Sequence, residues 1–296
     1  MMVLVVGGTG FVGPKVVHAL RAEERPVRVL TRRPERQEQL HAWGCEVVGG
    51  DMTDAESLRR AVEGCEAVVH LVALAPFADR KATQRVMEQG TRDLVAAARD
   101  AGVRRFVLMS ALGVREETKD LSAYNHAKWE EEETVRESGL EHTIFRPSFI
   151  FGSDGGLLPS LVRLIRWSPV TPVPSQRKLQ PIWVEDVAAY FARSLEIGVK
   201  GNGTWELGGP DQVTWEELYE RLRRTLGKRR LAFQLPGGLL RAAAAGASVL
   251  PPVRGAPGAI AMLQTDDNVT DIAPAVETFG VQPIKLDDQL RRAVAH

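Results

Sequence analysis

Short apolar runs alternate with longer amphipathic segments over the first half of the chain. The apolar runs are rich in β-branched residues and lie at 3–6, 27–30, 45–48, 67–71, 106–109 and 143–145. Between them, helical spacing of apolar residues marks 12–20, 55–62, 85–101 and 123–137. Short continuous apolar runs are typical of strands buried on both faces, and repeated strand-helix units need right-handed crossovers. The pattern predicts an α/β fold with a doubly wound, mostly parallel sheet.

The alternation ends after Arg146 and Pro147, where stretches rich in Pro, Ser and Gly follow. A helix is predicted near 185–196, a strand near 204–207, and a further helix opened by Thr214, whose T-W-E-E is typical of a capping box. We therefore predict a Rossmann dinucleotide-binding domain over 1–150 and a smaller, discontinuous α/β substrate lobe over 151–296. About 181–200 of the second part is expected to return to the first domain.

The charges of the chain balance, since Lys plus Arg and Asp plus Glu each number 38. Such a chain has no general attraction for nucleic acid or an anionic membrane. Cys45 and Cys65 lack the spacing of a disulfide framework or a zinc site, so we expect free thiols and no metal. The apolar runs are too short for a transmembrane segment and the first residues do not resemble a signal peptide, which predicts a cytoplasmic protein.

Gly7, Gly10 and Gly13 form a G-x-x-G-x-x-G pattern between the first predicted strand and the first predicted helix. In that context glycine lets the backbone approach a pyrophosphate, whose charge is met by free N–H groups and the helix dipole. The alternative is a tight turn without a ligand. The position between strand and helix favours a dinucleotide site.

The end of the second predicted strand indicates which dinucleotide to expect. Folds that prefer NAD place Asp or Glu there, whereas folds that prefer NADP place Arg nearby. This chain has Thr31 followed by Arg32 and Arg33, whose guanidinium groups suit a phosphate. We predict NADP(H) as the preferred coenzyme and NAD(H) as the alternative. A solvent-exposed helix start that includes Arg36 would explain the same arginines without a ligand.

Tyr124 and Lys128 are four residues apart on a predicted helix and so share one face. An ammonium group near a phenol lowers the pKa of tyrosine, which suits acid or base work near neutral pH. An exposed Tyr-Lys pair without a function is the alternative. The four glutamates at 130–133 are interpreted as a solvent-exposed helix face, and His70 as a packed or hydrogen-bonded histidine.

Six motifs occur along the chain in the order of a known superfamily. They are GGTGFVG at the start, GGD ending at Asp51, VVHLVA ending at Ala73, RFVLMSALG around Ser110, the Y-x-x-x-K of Tyr124 and Lys128, and RPSFIFG from Arg146. Together they resemble the short-chain dehydrogenase/reductase superfamily. The most similar branch is the atypical, extended-like one that includes the nucleotide-binding accessory subunit of respiratory complex I and its bacterial relatives, near the NmrA-like proteins.

The resemblance implies a catalytic set of Ser110, Tyr124 and Lys128. Tyr124 would donate the proton, Lys128 would adjust its pKa and hold the ribose, and Ser110 would orient the substrate carbonyl. Asp51 would contact the adenine ring, although Asp is also a good cap for a helix beginning near Thr53. Met87 stands where the superfamily has a structural asparagine or histidine. Together with the glycine turn and the arginines, the resemblance assigns to coenzyme binding Gly7, Thr9, Gly10, Phe11, Val12, Gly13, Arg32, Arg33, Asp51, Met52, Leu71, Val72, Ala73, Met109, Tyr124, Lys128, Pro147 and Phe149.

The first functional hypothesis is an NADP(H)-binding oxidoreductase that acts on a carbonyl or alcohol of an unidentified small molecule. The second is a non-catalytic nucleotide-binding redox sensor or accessory protein that acts through a protein partner. The third is a nucleotide-sugar epimerase or dehydratase that recycles NAD, against which Arg32 and Arg33 argue.

The apolar segment at 235–254 is expected to form a helix that lines the substrate cleft, with docking on a membrane or a partner as the alternative.

Overall fold

The computed structural model describes residues 1–76, 78–167, 171–172, 177–228, 232–233 and 267–295. The apolar segment at 235–254 lies outside these residues, so its predicted helix stays a prediction. Within the described residues, no helix is long and apolar enough to cross a membrane.

The strands divide into one large sheet and three short pairs. In chain order they are β1 (Val3–Val6), β2 (Val27–Thr31), β3 (Glu46–Gly49), β4 (Ala67–His70), β5 (Arg105–Met109), β6 (Glu141–Pro147), β7 (Ile150–Phe151), β8 (Thr171–Pro172), β9 (Lys178–Leu179), β10 (Ile182–Trp183), β11 (Gly203–Leu207), β12 (Val213–Thr214) and β13 (Ala232–Phe233). The large sheet has seven strands in the order β11-β6-β5-β4-β1-β2-β3, and all of its pairings are parallel. The predicted doubly wound sheet is confirmed.

The helices cover both faces of this sheet and build the second lobe. In chain order they are α1 (Gly13–Ala22), α2 (Glu38–Ala42), α3 (Ala55–Val62), α4 (Arg80–Thr83), α5 (Gly90–Asp100), α6 (Ala123–Arg136), α7 (Leu158–Trp167), α8 (Val184–Glu196), α9 (Trp215–Thr225), α10 (Ala273–Phe279) and α11 (Leu286–Val294). The prediction of one continuous helix at 85–101 is wrong, because Gln84–Gln89 is a π-helical turn and the α-helix α5 begins after it at Gly90.

Strand β1 shows why the apolar runs are continuous rather than alternating. Val3 and Val5 enter one core with α1 and α8, whereas Leu4 and Val6 enter a second core with α3 and α5. Successive side chains of a strand point to opposite faces, so a strand covered on both sides needs apolar residues at every position.

A third core joins the short strands to α7, α9 and α11. The predicted capping box is confirmed, because Thr214 Oγ1 accepts from Glu217 N at 3.2 Å and Glu217 Oε2 accepts from Thr214 N at 2.8 Å. Helix α8 packs against α1, and β11 extends the main sheet beside β6. The predicted division at residue 150 stays a prediction.

The order of the large sheet locates the expected ligand crevice. The chain proceeds outward from β1 to β2 and β3, then returns to place β4 on the other side of β1. In open parallel sheets, ligands bind outside the carboxyl ends of the strands at such a reversal of strand order. The glycine turn follows β1 and the segment from Leu71 follows β4, so both lie at this crevice.

Candidate active site

The three glycines of the turn after β1 differ in what surrounds them. Gly7 has φ +87°, and a Cβ there would lie 2.9 Å from the Leu71 carbonyl carbon and the Val72 nitrogen. A Cβ on Gly13 would lie 2.4 Å from the Gly7 oxygen, so α1 packs directly on the turn. At Gly10 a Cβ would meet, among the described residues, only the Gly7 oxygen at 3.4 Å, so the described part of the fold leaves room for a side chain here.

The first turn of α1 follows these glycines without a side-chain cap. Val12 is the N-cap residue and makes no side-chain hydrogen bond there among the described residues, and a proline follows in the first turn. Thr9 and Gly10 are exposed and Val12 is buried. Uncapped N–H groups and the positive end of a helix dipole are what a pyrophosphate requires.

Phe11 contributes to packing in a way that the sequence did not indicate. Its ring edge would lie within 3 Å of a Cβ placed on Gly152, Gly155 or Gly156, so these glycines make room for it in the loop after β7. The ring thereby ties the glycine turn to the region that leads into the second lobe. The backbone of Phe11 remains part of the predicted coenzyme site.

Arg32 and Arg33 are both exposed just after β2. Arg32 Nε lies 4.0 Å from Asp51 Oδ2, and 82% of the Arg32 side chain is exposed. Asp51 Oδ1 accepts from the Thr53 N–H and the Thr53 hydroxyl at 2.8 and 2.7 Å, and this hydrogen bonding lowers the pKa of Asp51. Both arginine side chains are exposed just after β2, the end of the strand where the ribose is expected.

The alternative role of Asp51 as a helix cap is wrong. Helix α3 is capped by Asp54, whose Oδ1 accepts from Glu56 N at 3.1 Å and Ser57 N at 3.2 Å. The sequence offers two aspartates three residues apart, and only the backbone conformation decides which one caps the helix.

The remaining coenzyme candidates lie at different depths. Met52 and Leu71 are each 6% exposed and belong to the cores, whereas Val72 is partly buried and Ala73 is exposed. Pro147 ends β6, and its carbonyl accepts from Leu112 N at 2.9 Å. The Phe149 ring lies 5.8 Å from the Trp215 ring, so this residue connects the crevice to the second lobe.

Lys128 is held at the carboxyl ends of the central strands. Its ammonium donates to Met109 O at 2.8 Å, Glu131 Oε2 at 2.8 Å and Val72 O at 3.4 Å. Met109 ends β5 and Val72 follows β4, so α6 carries this lysine to the edge of the predicted crevice. Burial is the largest single influence and lowers the pKa of Lys128, but the charge and hydrogen bond of Glu131, together with Tyr124 and Glu132, outweigh it and the pKa is raised.

Tyr124 lies one turn earlier on α6 and is partly exposed. The expectation of a lowered pKa is wrong. Burial is the largest influence and raises the pKa of Tyr124, Lys128 opposes it, and Glu131 adds to the rise. The phenol therefore keeps its proton at neutral pH.

Ser110 directly follows Met109 and is 3% exposed. Its N–H donates to Phe145 O at 2.7 Å, which fixes the backbone between β5 and β6. Its hydroxyl has no hydrogen-bond partner among the residues that the structure describes. Buried hydroxyl groups are normally paired, so this one is available to a bound molecule.

The interpretation of 130–133 as a solvent-exposed helix face is wrong. The side chains of Glu131 and Glu132 are both 0% exposed. Glu132 accepts from Arg146 Nε at 2.8 Å and Nη2 at 2.6 Å, which links α6 to the end of β6. Four consecutive acids carry no amphipathic signal, so only the rotation of α6 reveals that two of them face inward.

His70 and Met87 are both fully buried. His70 is fully buried and its Nε2 lies 2.8 Å from Thr91 Oγ1, which confirms a packed, hydrogen-bonded histidine. Burial, with the Lys128 ammonium, lowers the pKa of His70 to about 3, so the ring is neutral. Met87 is fully buried, and its Sδ accepts from Leu74 N at 3.4 Å.

The site geometry agrees with what comparison with known proteins shows. A family model described as NAD(P)H-binding matches residues 7–196. This chain is also similar to the ceramide reductase of Caulobacter vibrioides, with 33% identity over 245 residues that cover 82% of this chain and 76% of that protein. The chain belongs to this NAD(P)H-binding family, within the short-chain dehydrogenase/reductase superfamily. A further relative of this NAD(P)H-binding chain is the photosystem II assembly factor Ycf39 of Synechocystis, 27% identical over 290 residues, 96% of this chain and 86% of that protein.

Solved structures share the fold of this NAD(P)H-binding chain. One is a short-chain dehydrogenase/reductase superfamily protein from Agrobacterium tumefaciens with bound NAD, which has a TM-score of 0.73 at 22% identity and covers 100% of this chain and 97% of that chain. A nicotinamide dinucleotide fits the residues described above, because the open position at Gly10, the first turn of α1 and the Ser110 hydroxyl, which has no partner among the described residues, all follow carboxyl ends of strands in the parallel sheet. The free thiols of Cys45 and Cys65 are confirmed, and no group of His, Cys, Asp or Glu among the described residues is arranged to hold a metal ion.

Proposed function

We propose that this chain is an NADP(H)-dependent oxidoreductase that reduces a carbonyl group or oxidises the corresponding alcohol. The observation that carries the proposal is the position of Lys128, a buried ammonium group held between the Val72 and Met109 carbonyls, one helical turn from Tyr124. Ser110, whose hydroxyl has no partner among the described residues, directly follows Met109. A buried cation needs a charged partner, which for Lys128 is Glu131 at 2.8 Å, and a buried charged group with a shifted pKa at the carboxyl ends of the central strands is a candidate functional residue.

Each residue has a defined task in the reductive direction. The reduced coenzyme supplies the hydride that the carbonyl carbon accepts. Tyr124 donates its phenolic proton to the carbonyl oxygen, and the resulting phenolate is stabilised by the Lys128 ammonium until solvent returns a proton. Ser110 donates a hydrogen bond to the same oxygen. The raised pKa of Tyr124 suits this direction, because the acid must still hold its proton when the substrate binds.

The purified chain is expected to oxidise NADPH in the presence of a carbonyl substrate. We would follow absorbance of the reduced coenzyme with aldehydes, ketones, quinones and, because of the Caulobacter relative, ceramides. Coenzyme that binds but stays reduced across the whole panel would contradict an enzymatic role. Nucleotide sugars in the same panel test the epimerase or dehydratase hypothesis, whose signature is conversion with no net change in coenzyme.

Coenzyme choice is expected to depend on Arg32 and Arg33, which we propose to hold the 2′-phosphate of NADPH. A charge-assisted hydrogen bond contributes about 1.5–3 kcal/mol, so Arg32→Ala or Arg33→Ala is expected to weaken NADPH binding roughly 10- to 100-fold and leave NADH binding nearly unchanged. Fluorescence titration of both coenzymes measures this. The matched control is Arg36→Ala, because Arg36 is exposed in the same segment and lies 3.9 Å from Glu35. Equal losses for both coenzymes would refute the assignment.

The second candidate function is a nucleotide-binding accessory protein that acts through a partner. The similarity to the Ycf39 assembly factor over most of the chain favours it. Such a protein would bind the coenzyme for stability or sensing, since a ligand that binds only the folded state stabilises it. Tight NADPH binding, no turnover with the panel, and co-purification of a partner that depends on bound coenzyme would identify this role.

A further inference from the structure

Glu131 forms an ion pair with Lys128 inside the protein. The two side chains are 0% and 1% exposed, and Glu131 Oε2 lies 2.8 Å from Lys128 Nζ. Burying two charges is unfavourable unless each finds its partner, so neither residue is placed there without the other. The i,i+3 spacing on a predicted helix allows this pair, but the sequence does not show that both side chains are buried.

The ammonium of Lys128 has three hydrogens and three acceptors surround it. Two of these are main-chain carbonyls that belong to the crevice edge, Val72 O and Met109 O. The third, Glu131, is the only carboxyl group of the three, and it approaches from within α6. Burial raises the pKa of Glu131 to about 7, and the Lys128 ammonium opposes this rise. Glu131 therefore determines how deeply Lys128 is drawn toward the protein interior.

Of the described groups that shift the pKa of Glu131, Lys128 is the only cation. On α6 these groups are Lys128 and Glu132, and α5 contributes the Thr91 hydroxyl. Thr91 also contacts the neutral His70 of β4, while Glu132 is paired with Arg146 of β6. Arg92 of α5 lies 3.7 Å from Glu88 and 3.4 Å from Glu130 instead. Glu131 Oε1 has no hydrogen-bond partner in the described part of the chain.

We propose that Glu131 is a positioning residue: it holds the Lys128 ammonium between the ends of β4 and β5, where this cation meets the coenzyme and Tyr124. The proposal rests on the function proposed above and adds to it a residue that acts through Lys128.

The expected consequence is a change in the pH range of the reaction. Glu131 raises the pKa of both Tyr124 and Lys128. In Glu131→Gln the anion is lost while the ammonium stays, so the pKa of Tyr124 falls. Reduction needs the protonated phenol, and the pH above which activity declines is therefore expected to move downward by about one unit. NADPH affinity is expected to fall about tenfold, because Lys128 is no longer held against the crevice edge.

The test compares Glu131→Gln with Glu133→Gln in the full chain. Glu133 lies on the same helix with a side chain 40% exposed, so the control makes the same chemical change outside the ion pair. Thermal unfolding of each variant, NADPH titration and the pH profile of turnover are measured together. A folded Glu131→Gln protein with unchanged affinity and an unchanged pH profile, matching Glu133→Gln, would overturn the proposal.

Two further outcomes keep the test decisive. If the wild-type chain binds NADPH but turns over nothing, the proposed function fails, and the affinity difference between Glu131→Gln and Glu133→Gln still supports or refutes positioning. If Glu131→Gln does not fold, Glu131→Asp is measured instead, because it keeps the charge and moves the carboxylate away from Lys128 by one carbon. That variant is expected to lose NADPH affinity several-fold while keeping the wild-type pH profile, and unchanged affinity would refute the proposal.

Discussion

Replacing Tyr124 by Phe is expected to lower kcat by about 10²- to 10⁴-fold, the usual contribution of a positioned general acid. The substitution removes only the phenolic oxygen, so the carbonyl oxygen would develop negative charge with no proton donor beside it. Lys128 and its three acceptors are untouched, and NADPH affinity is expected to stay within about threefold of the wild type. Steady-state turnover and NADPH titration, measured on the same preparation, separate the effect on kcat from the effect on coenzyme affinity.

The matched control for this substitution is Tyr190→Phe. Tyr190 is buried in the core formed with α1, and its hydroxyl donates to Val281 O at 3.4 Å, away from the crevice. The Tyr190→Phe substitution therefore removes a phenolic oxygen at a site that plays no part in the proposed reaction. Full turnover in Tyr124→Phe, or an equal loss in Tyr190→Phe, would contradict the assignment of Tyr124 as the proton donor.

Replacing Gly10 by Ala is expected to weaken coenzyme binding strongly without disturbing the fold. The added Cβ would lie 3.4 Å from the Gly7 oxygen, an ordinary contact, so stability is expected to change by less than about 1 kcal/mol. The same methyl group would occupy the space into which a pyrophosphate must come to reach the first turn of α1. A loss of about 3 kcal/mol of binding energy, or roughly 100-fold in Kd, is expected.

Gly13→Ala provides the contrast, because its Cβ would lie 2.4 Å from the Gly7 oxygen. Overpacking of this kind typically costs about 1–3 kcal/mol, so this variant is expected to lose stability as well as binding. Thermal unfolding with and without NADPH measures both effects, since saturation at about 100 Kd adds about 2.7 kcal/mol to the folded state. A Gly10→Ala protein that is still stabilised by NADPH like the wild type would mean that the pyrophosphate does not bind at this turn.

These expectations separate binding from turnover, which is the central question about this chain. The glycine turn, the uncapped α1 and the two arginines concern binding alone, and the family relationship supports that part. Turnover depends on whether Tyr124, Ser110 and Lys128 act on one substrate atom. Because the relatives include both a reductase and an assembly factor, the kinetic experiments on Tyr124 distinguish roles that sequence similarity does not.

The sequence alone predicted the strands and the coenzyme turn because both depend on local patterns. Strand β1 was predicted at its observed limits, and the strands β2 to β6 within a few residues, since a strand buried on both faces must be apolar at consecutive positions. Gly7 and Gly13 were likewise recognisable, because the turn needs a positive φ at one and a missing Cβ at the other. Such requirements involve residues close together in the chain, so they are visible in the sequence.

Only the tertiary structure decided what the charged residues of α6 do. Glu130 to Glu133 are chemically identical, and the rotation of the helix against β5 and β6 places Glu131 and Glu132 inside. Lys128 lies three residues from Glu131 on the same helix, so the spacing already allows this pair, whereas Arg146 comes from β6 and meets Glu132 only in the folded chain. Helix capping by Asp54 rather than Asp51, and the upward pKa shift of Tyr124, depend in the same way on backbone conformation and burial. Burial and long-range pairing are properties of the assembled fold, and for this reason the burial of the Lys128–Glu131 pair could not be predicted from the sequence.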